Sequence, residues 1–195
     1  MSTTDKQQRR QERELALAKK IVALPTKHYG VLYADPPWRF EPYSRQTGMD
    51  RAADNHYPTM TTQDIMLLRV PAAKDCVLFL WATAPMLPAA LAVMAAWGFT
   101  YKSHWIWNKD RVGTGYWARN KHELLLIGTR GEIPALAPGT QPPSVLNYPA
   151  IRHSAKPPEF RALIEKFYPN LPKLELFARG EAPAGWDFFG NEAVP

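Results

Sequence analysis

An acid, two prolines and a tryptophan occupy residues 35–38, directly after the apolar run "YGVLYA". Proline fixes its own φ, lacks an N–H, and holds the residue before it in an extended conformation. A segment containing Pro36 and Pro37 therefore offers carbonyl oxygens with few local donors to satisfy them. Beside the Asp35 carboxylate they form a rigid cluster of acceptors, complementary to a planar –NH2 group with two N–H bonds. Trp38 adds an aromatic face on which a flat ring can stack. An exocyclic amine such as that of adenine is a poor nucleophile, because its lone pair is delocalised into the ring. Acceptors on both N–H bonds favour a pyramidal nitrogen, free the lone pair and stabilise the positive charge that develops on attack. The chemistry this pattern suits is attack of such an amine on an electrophilic methyl group held in line. A stiff strand-end turn with Trp38 as core filler is the other reading of the same four residues.

The elements that must position this tetrapeptide follow from periodicity. "YGVLYAD" (29–35) has little polarity and reads as a buried strand. Further strands are expected at 76–83 ("CVLFLWAT"), 101–110, 122–131 ("HELLLIGTRG") and 173–179 ("KLELFAR"). Helices are expected at 13–24, stopped by Pro25, at 61–70 behind threonine caps, at 85–99, and at 157–169. In the last of these, Phe160, Leu163, Ile164 and Phe167 recur at helical spacing. Residues 39–60 and 111–121 read as loops, and 134–150 as proline-rich and irregular. Strands alternating with helices imply an α/β fold with a mostly parallel sheet, in which ligands bind beyond the carboxyl ends of the strands. Asp35 stands at such an end.

Composition narrows the class. With 46% apolar residues and seven tryptophans among 195 residues, the chain has the material for one domain with a full core. No apolar run approaches membrane-spanning length. The single cysteine, Cys76, excludes an internal disulfide and a cysteine metal site, and a reducing cytoplasm is the expected compartment. The five histidines show no ligand spacing, so no metal is expected. Residues 1–27 carry seven basic groups and three acids, which is +4 of the net +6. The expected organisation is a basic helical N-terminal arm (1–27) followed by a catalytic domain (28–195). Such an arm suits a polyanionic partner, and a solvated helix of mixed charge is its alternative.

"DPPW" resembles the catalytic motif of the adenine-N6 methyltransferases that include the catalytic subunit of the eukaryotic messenger-RNA adenosine methyltransferase. Further ordered segments carry the resemblance: "HYPTMTTQDI" (56–65), "WARNKHELLLIGTRG" (117–131), "RHSAKPPEFRALIEKFYP" (152–169) and "KLELFAR…GWDFFGNE" (173–192). Together they cover most of residues 29–192. The resemblance implies a Rossmann-like class I S-adenosyl-L-methionine-dependent methyltransferase fold, with helices on both faces of the sheet. Its motif order is permuted, the catalytic strand preceding the cofactor strand, which accounts for the lack of an early GxGxxG. It implies catalytic roles for Asp35, Pro36, Pro37 and Trp38, with the Pro36 carbonyl as second acceptor. Asp35 and Lys156 would hold the cofactor's methionine end, Glu175 would point into the cofactor region or brace it, and Phe177 and Arg179 would meet the adenosine. Asn191 and Glu192 would reach the ribose, and Tyr57 would lie near the substrate pocket with Trp38.

A duplex base is methylated only after it leaves the stack. Arg39, Arg45, Arg51, Lys109, Arg111, Arg119 and Lys121, interleaved with Tyr116 and Trp117, fall on the two loops expected at the pocket mouth and are the candidates for gripping the strand. DNA is favoured over RNA because compact relatives of this kind act on DNA. The chain leaves no room for a separate recognition domain, so sequence readout falls to these loops, to a second copy in a homodimer, or to a partner subunit. Cytosine-N4 transfer and a catalytically silent nucleic-acid-binding subunit are the competing functions. Asp rather than Ser before Pro-Pro-Trp speaks against the first, and the intact Asp35 and Lys156 against the second.

Overall fold

β1 (Tyr29–Ala34) is buried at every position, so both of its faces and both of its edges must be covered. The computed structural model describes residues 26–39, 59–113, 115, 117–150, 155–190 and 192–194. The expected helix at 13–24 and most of the 39–60 loop lie outside these residues. After β1 come α1 (Thr62–Met66), β2 (Ala72–Thr83), a 3-10 turn (Ala84–Met86) and α2 (Leu87–Ala96). β3 (Thr100–Asn108), β4 (His122–Arg130), β5 (Val145–Asn147) and α3 (Pro158–Phe167) follow. The chain closes with β6 (Lys173–Leu176), β7 (Arg179–Glu181), β8 (Trp186–Phe189) and β9 (Glu192–Val194).

Seven strands form one sheet in the order β5-β3-β4-β2-β1-β6-β8, and β7 and β9 pair separately. β1 is central, parallel to β2 on one side and to β6 on the other. β4 is antiparallel to both β2 and β3 and is the one strand of the seven that runs against the rest. The sheet is therefore mixed but mostly parallel, as the α/β alternation requires. Among the described residues no helix is long and apolar enough to cross a membrane.

Alternate residues feed two cores. On one face Leu32, Leu78, Leu126 and Leu174 pack with Ile65 of α1 and with Ala90, Val93 and Met94 of α2. On the other, Tyr33, Phe79, Trp81, Trp105 and Trp107 pack with Phe160 and Ile164 of α3. Helices thus cover both faces. α3 reaches its place because its apolar residues keep helical spacing, with Leu163 and Phe167 at the edge of the same cluster.

Several boundaries differ from those read off the sequence. α1 stops at Met66 instead of running to residue 70; Pro71, which has no N–H and holds Val70 out of the helical region, bars the helix from continuing past that point. Its threonine cap is present: Thr61 Oγ1 accepts from the Asp64 N–H at 3.1 Å. β6 ends at Leu176 instead of residue 179, because Phe177 takes the left-handed value φ 63° and breaks the strand. β5 lies inside the segment expected to be irregular, and β8 was not expected. Lys27, counted with the basic arm, donates to Asp187 on β8 at 2.9 Å.

Candidate active site

Because β4 alone is reversed, the carboxyl ends of the parallel strands and the first residues of β4 share one edge of the sheet. Asp35 leaves the end of β1 there, its N–H directed at Leu176 O on β6 (3.5 Å). Lys156, two residues ahead of α3, donates to Asp35 Oδ2 at 2.7 Å across a sequence gap of 121 residues. The same ammonium lies 3.5 Å from Glu123 Oε2 and 5.4 Å from the centre of the Trp81 ring. Glu123, second residue of β4, also accepts from Lys109 at the foot of the β3–β4 connection. The result is a chain of alternating charge, Asp35–Lys156–Glu123–Lys109.

The two carboxylates respond differently to this setting. Burial pushes the Asp35 carboxyl above its ordinary value, and the Lys156 ammonium only partly opposes that shift. Burial also works against ionised Glu123, but Lys156 and Lys109 together outweigh it and hold that carboxyl below its ordinary value. Asp35 keeps 33% of its side-chain surface, against 15% for Glu123. The more open group is thus the less comfortable anion, and it is the one that can meet an incoming molecule.

The proline turn is braced more fully than its composition suggested. Pro36 O accepts from the Trp38 N–H at 2.8 Å, and Pro37 O accepts from the Met60 N–H at 2.8 Å. Trp38 and Met60 form a parallel bridge, and the Arg39 N–H donates to Met60 O at 3.0 Å. Few local donors were expected, and only Trp38 is one; the bond to Pro37 O comes from distant Met60, so each carbonyl already accepts one bond. A carbonyl oxygen has two lone pairs, so Pro36 keeps capacity for a second donor. Trp38 is 8% exposed, packs in the aliphatic core and donates from its indole to Trp81 O at 3.1 Å. Its role here is to clamp the turn to β2, and it does not stand as an open stacking face.

Beyond β6, Phe177 holds φ 63°, which is strained for a residue with a Cβ. The neighbouring Ala178 N–H donates to Phe189 O at 3.1 Å, and a Cβ on Gly190 would lie 2.1 Å from Ala178 O. Only glycine permits that approach, so the end of β6 and the end of β8 are pinched together beside Asp35. Glu175, on β6, takes both Nε (3.1 Å) and a terminal nitrogen (2.6 Å) of Arg161 from α3. It braces α3 against the sheet, and burial raises its carboxyl above the ordinary value. Arg179 is exposed on β7, its charge reaching Asp35. Glu192 lies opposite it in β9.

The strand-gripping candidates divide. Lys109 is turned inward, bound by Glu123 and seated 4.5 Å from the centre of the Trp107 ring, because a quarter-exposed ammonium is better served by a carboxylate than by water. Arg39 donates to Thr59 across the ends of its own loop, from Nε to Oγ1 at 3.3 Å. Arg111, Arg119, Lys121 and Trp117 are exposed on the β3–β4 connection. Arg45, Arg51, Tyr57, Tyr116 and Asn191 lie outside the described residues. Glu123 was missed by the reading of the sequence. Its signal was a carboxylate at the mouth of an otherwise apolar strand, "HELLLIG", where a charge needs a partner.

The family model described as MT-A70 matches residues 29–192. The chain is similar to the Type II methyltransferase M.MunI of Mycoplasma sp, 34% identical over 186 residues that cover 87% of this chain and 79% of that protein. It is similar to the N(6)-adenosine-methyltransferase MT-A70-like of Arabidopsis thaliana, 32% identical over 174 residues, 84% of this chain and 24% of that protein. It is also similar to the N(6)-adenosine-methyltransferase catalytic subunit METTL3 of Homo sapiens, 28% identical over 174 residues, 84% and 28% of the two chains. It spans most of the first relative and about a quarter of the length of the other two.

Proposed function

Since the chain belongs to the MT-A70 family and is a methyltransferase, we propose that it moves a methyl group from S-adenosyl-L-methionine to the N6 amino group of adenine in nucleic acid, DNA before RNA. The observation that carries this reading is the Asp35–Lys156 pair, 2.7 Å apart at the carboxyl end of β1 and beside the Pro36 carbonyl. The preference for DNA rests on the match along most of both chains to a type II methyltransferase, where the N(6)-adenosine enzymes are matched over about a quarter of theirs.

The donor set fits the cofactor. Its methionine end is a zwitterion, and Lys156 and Asp35 are one cation and one anion at contact distance, matched to a carboxylate and an ammonium. When bound, the cofactor supplies a methyl group made electrophilic by a sulfonium. Every other step belongs to the protein. Asp35 and the remaining lone pair of Pro36 O accept from the two N–H bonds of the target amine, pyramidalise its nitrogen and offset the charge it gains. Trp38 holds that turn to β2 through Trp81 O, so the acceptors are in place before the base arrives. The upward push on the Asp35 carboxyl makes it a fit receiver for the proton the amine must lose. Glu123 keeps Lys156 oriented when Asp35 turns to other partners. Phe177, Arg179 and Glu192, at the pinched β6–β8 end, would take the cofactor's nucleoside, together with Asn191. Reading of the target sequence would come from the β3–β4 connection, a second copy of the chain or a partner subunit.

Incubation with labelled S-adenosyl-L-methionine and single- and double-stranded DNA and RNA, followed by digestion, tests the reading. N6-methyldeoxyadenosine is the expected product. N4-methylcytosine, or no labelled nucleoside from any substrate, would overturn it, and label confined to RNA would move the substrate but keep the chemistry.

A further inference from the structure

The β3–β4 connection is braced at its foot and presents a tryptophan and several cations outward. Its foot is closed by the Lys109 N–H donating to Lys121 O at 2.8 Å, and a second rung runs from the Gly113 N–H to Asn120 O at 2.9 Å. Arg119 Nε donates back to Gly113 O at 3.4 Å. Further out, the backbone at Gly115 comes so near Ala118 O that a Cβ would lie 2.1 Å from it, so the loop is folded back on itself as only glycine allows. On this braced support Trp117 is 102% exposed, more than any other large apolar side chain among the described residues. Around it stand the exposed cations Arg111, Arg119 and Lys121. The foot of the loop is joined to Asp35 through Lys109, Glu123 and Lys156.

A fully exposed indole on a tight, glycine-pinched loop is costly unless something covers it in use. A homodimer seam centred on this loop is a poor cover, since it would bring two copies of the same cationic patch together. A nucleic-acid duplex suits both features, phosphates for the cations and base faces for the indole. Resting on the adenine-N6 reading above, we infer that Trp117 is a wedge that enters a duplex and fills the space left when the target adenine swings out. Extruding a base leaves its neighbours unstacked, and a flat side chain inserted there restores the lost stacking and holds the open state. The loop starts from the edge that carries Asp35, so wedge and acceptors work on one nucleotide step.

The test measures binding and transfer separately, using the full chain and its Trp117→Ala and Trp117→Phe variants. No core contact is touched by either substitution, since the side chain is exposed. In the first arm, anisotropy gives the affinity for a DNA duplex with one abasic gap and for the same duplex intact. The unaltered chain should prefer the gapped duplex by about tenfold, the size of one base–aromatic contact, with the preference lost in Trp117→Ala and partly kept in Trp117→Phe. In the second arm, the ratio of transfer rates on duplex and single-stranded DNA should fall by a similar factor in Trp117→Ala. An equal preference in the unaltered chain and Trp117→Ala would overturn the wedge. So would a variant that changes only the oligomeric state in sedimentation. If no nucleic acid is methylated but the gap preference appears and depends on Trp117, the catalytic reading falls and the wedge stands. If transfer to adenine occurs with no gap preference, the reverse holds.

Discussion

Two segments leave the same edge of the sheet and are built on opposite principles. The turn at 35–38 directs its bonds inward: the Trp38 indole to Trp81 O, Pro36 O to the Trp38 N–H, and Pro37 O to the Met60 N–H. The connection between β3 and β4 closes its backbone on itself and turns Arg111, Arg119, Lys121 and Trp117 outward. Each contains a tryptophan, one 8% and the other 102% exposed. The difference fits the two kinds of work proposed for them. Acceptors for a reacting amine must be fixed to a fraction of an ångström, and burial fixes them. A surface that meets a long, charged polymer needs reach and exposed cations, and burial would remove both.

Substitutions can break this contrast, and the strongest acts on the fixed side. Asp35→Asn should lower methyl transfer by about 100-fold or more, the scale of losing a preorganised electrostatic partner. It should leave the melting temperature at pH 7 equal to or above that of the unaltered protein. The sign follows from the carboxyl's direction of shift. Its folded-state value lies above the unfolded 3.8, so the contribution of Asp35 to stability is greatest below that value and is lost as pH rises through the folded one. The amide does not ionise, so the gap in favour of Asp35→Asn should widen from acid towards neutral pH in thermal melts. A variant that melts lower at pH 7 would show that the pair with Lys156 stabilises more than burial costs.

Glu123→Gln comes next, and its pH trend should run the other way. That carboxyl lies below its ordinary 4.5, so its stabilisation is present above the unfolded value and is lost as pH falls through the folded one. Removing it leaves Lys109 and Lys156 short of an anion, at a cost of about 3 kcal/mol near neutrality that should vanish in acid. Transfer should weaken mainly through a raised KM for the cofactor, with kcat less affected. Equal losses in both constants would remove the positioning role through Lys156. The smallest effect belongs to the exposed side. Gly115→Ala, whose Cβ would strike Ala118 O, should weaken duplex binding severalfold with little change in melting temperature. Unchanged binding would mean that the loop's shape does not matter to its partner.

How much of this was legible in the sequence depended on how local the cause is. β1 follows from an unbroken apolar run and α3 from apolar residues at helical spacing, and both lie where those patterns put them. Asp35 was read from the proline turn and Lys156 was named from a family resemblance, and only the fold brings them to 2.7 Å. The direction of β4 was not legible, because an apolar strand reads the same whichever way it runs. β8 was missed because four residues after a glycine carry no clean alternation. The inward turn of Lys109 escaped notice because its partner, Glu123, stands beyond the loop that separates β3 from β4. The bracing of the proline carbonyls was also hidden, since the Met60 N–H arrives from 23 residues downstream of Pro37.

The central place of β1 also bears on how the molecule is assembled. Its neighbours come from residues 72–83 on one side and 173–176 on the other, while β3 and β4 follow one another in the chain and pair as a hairpin through the connection at 109–121. Local pairs close early and distant ones late, so the hairpin with its outward tryptophan can exist in a half-made chain. The Asp35–Lys156 contact cannot, because the strand that flanks β1 on its far side emerges almost last. A chain whose sheet is incomplete thus lacks the Asp35–Lys156 pair, and with it the proposed reacting centre.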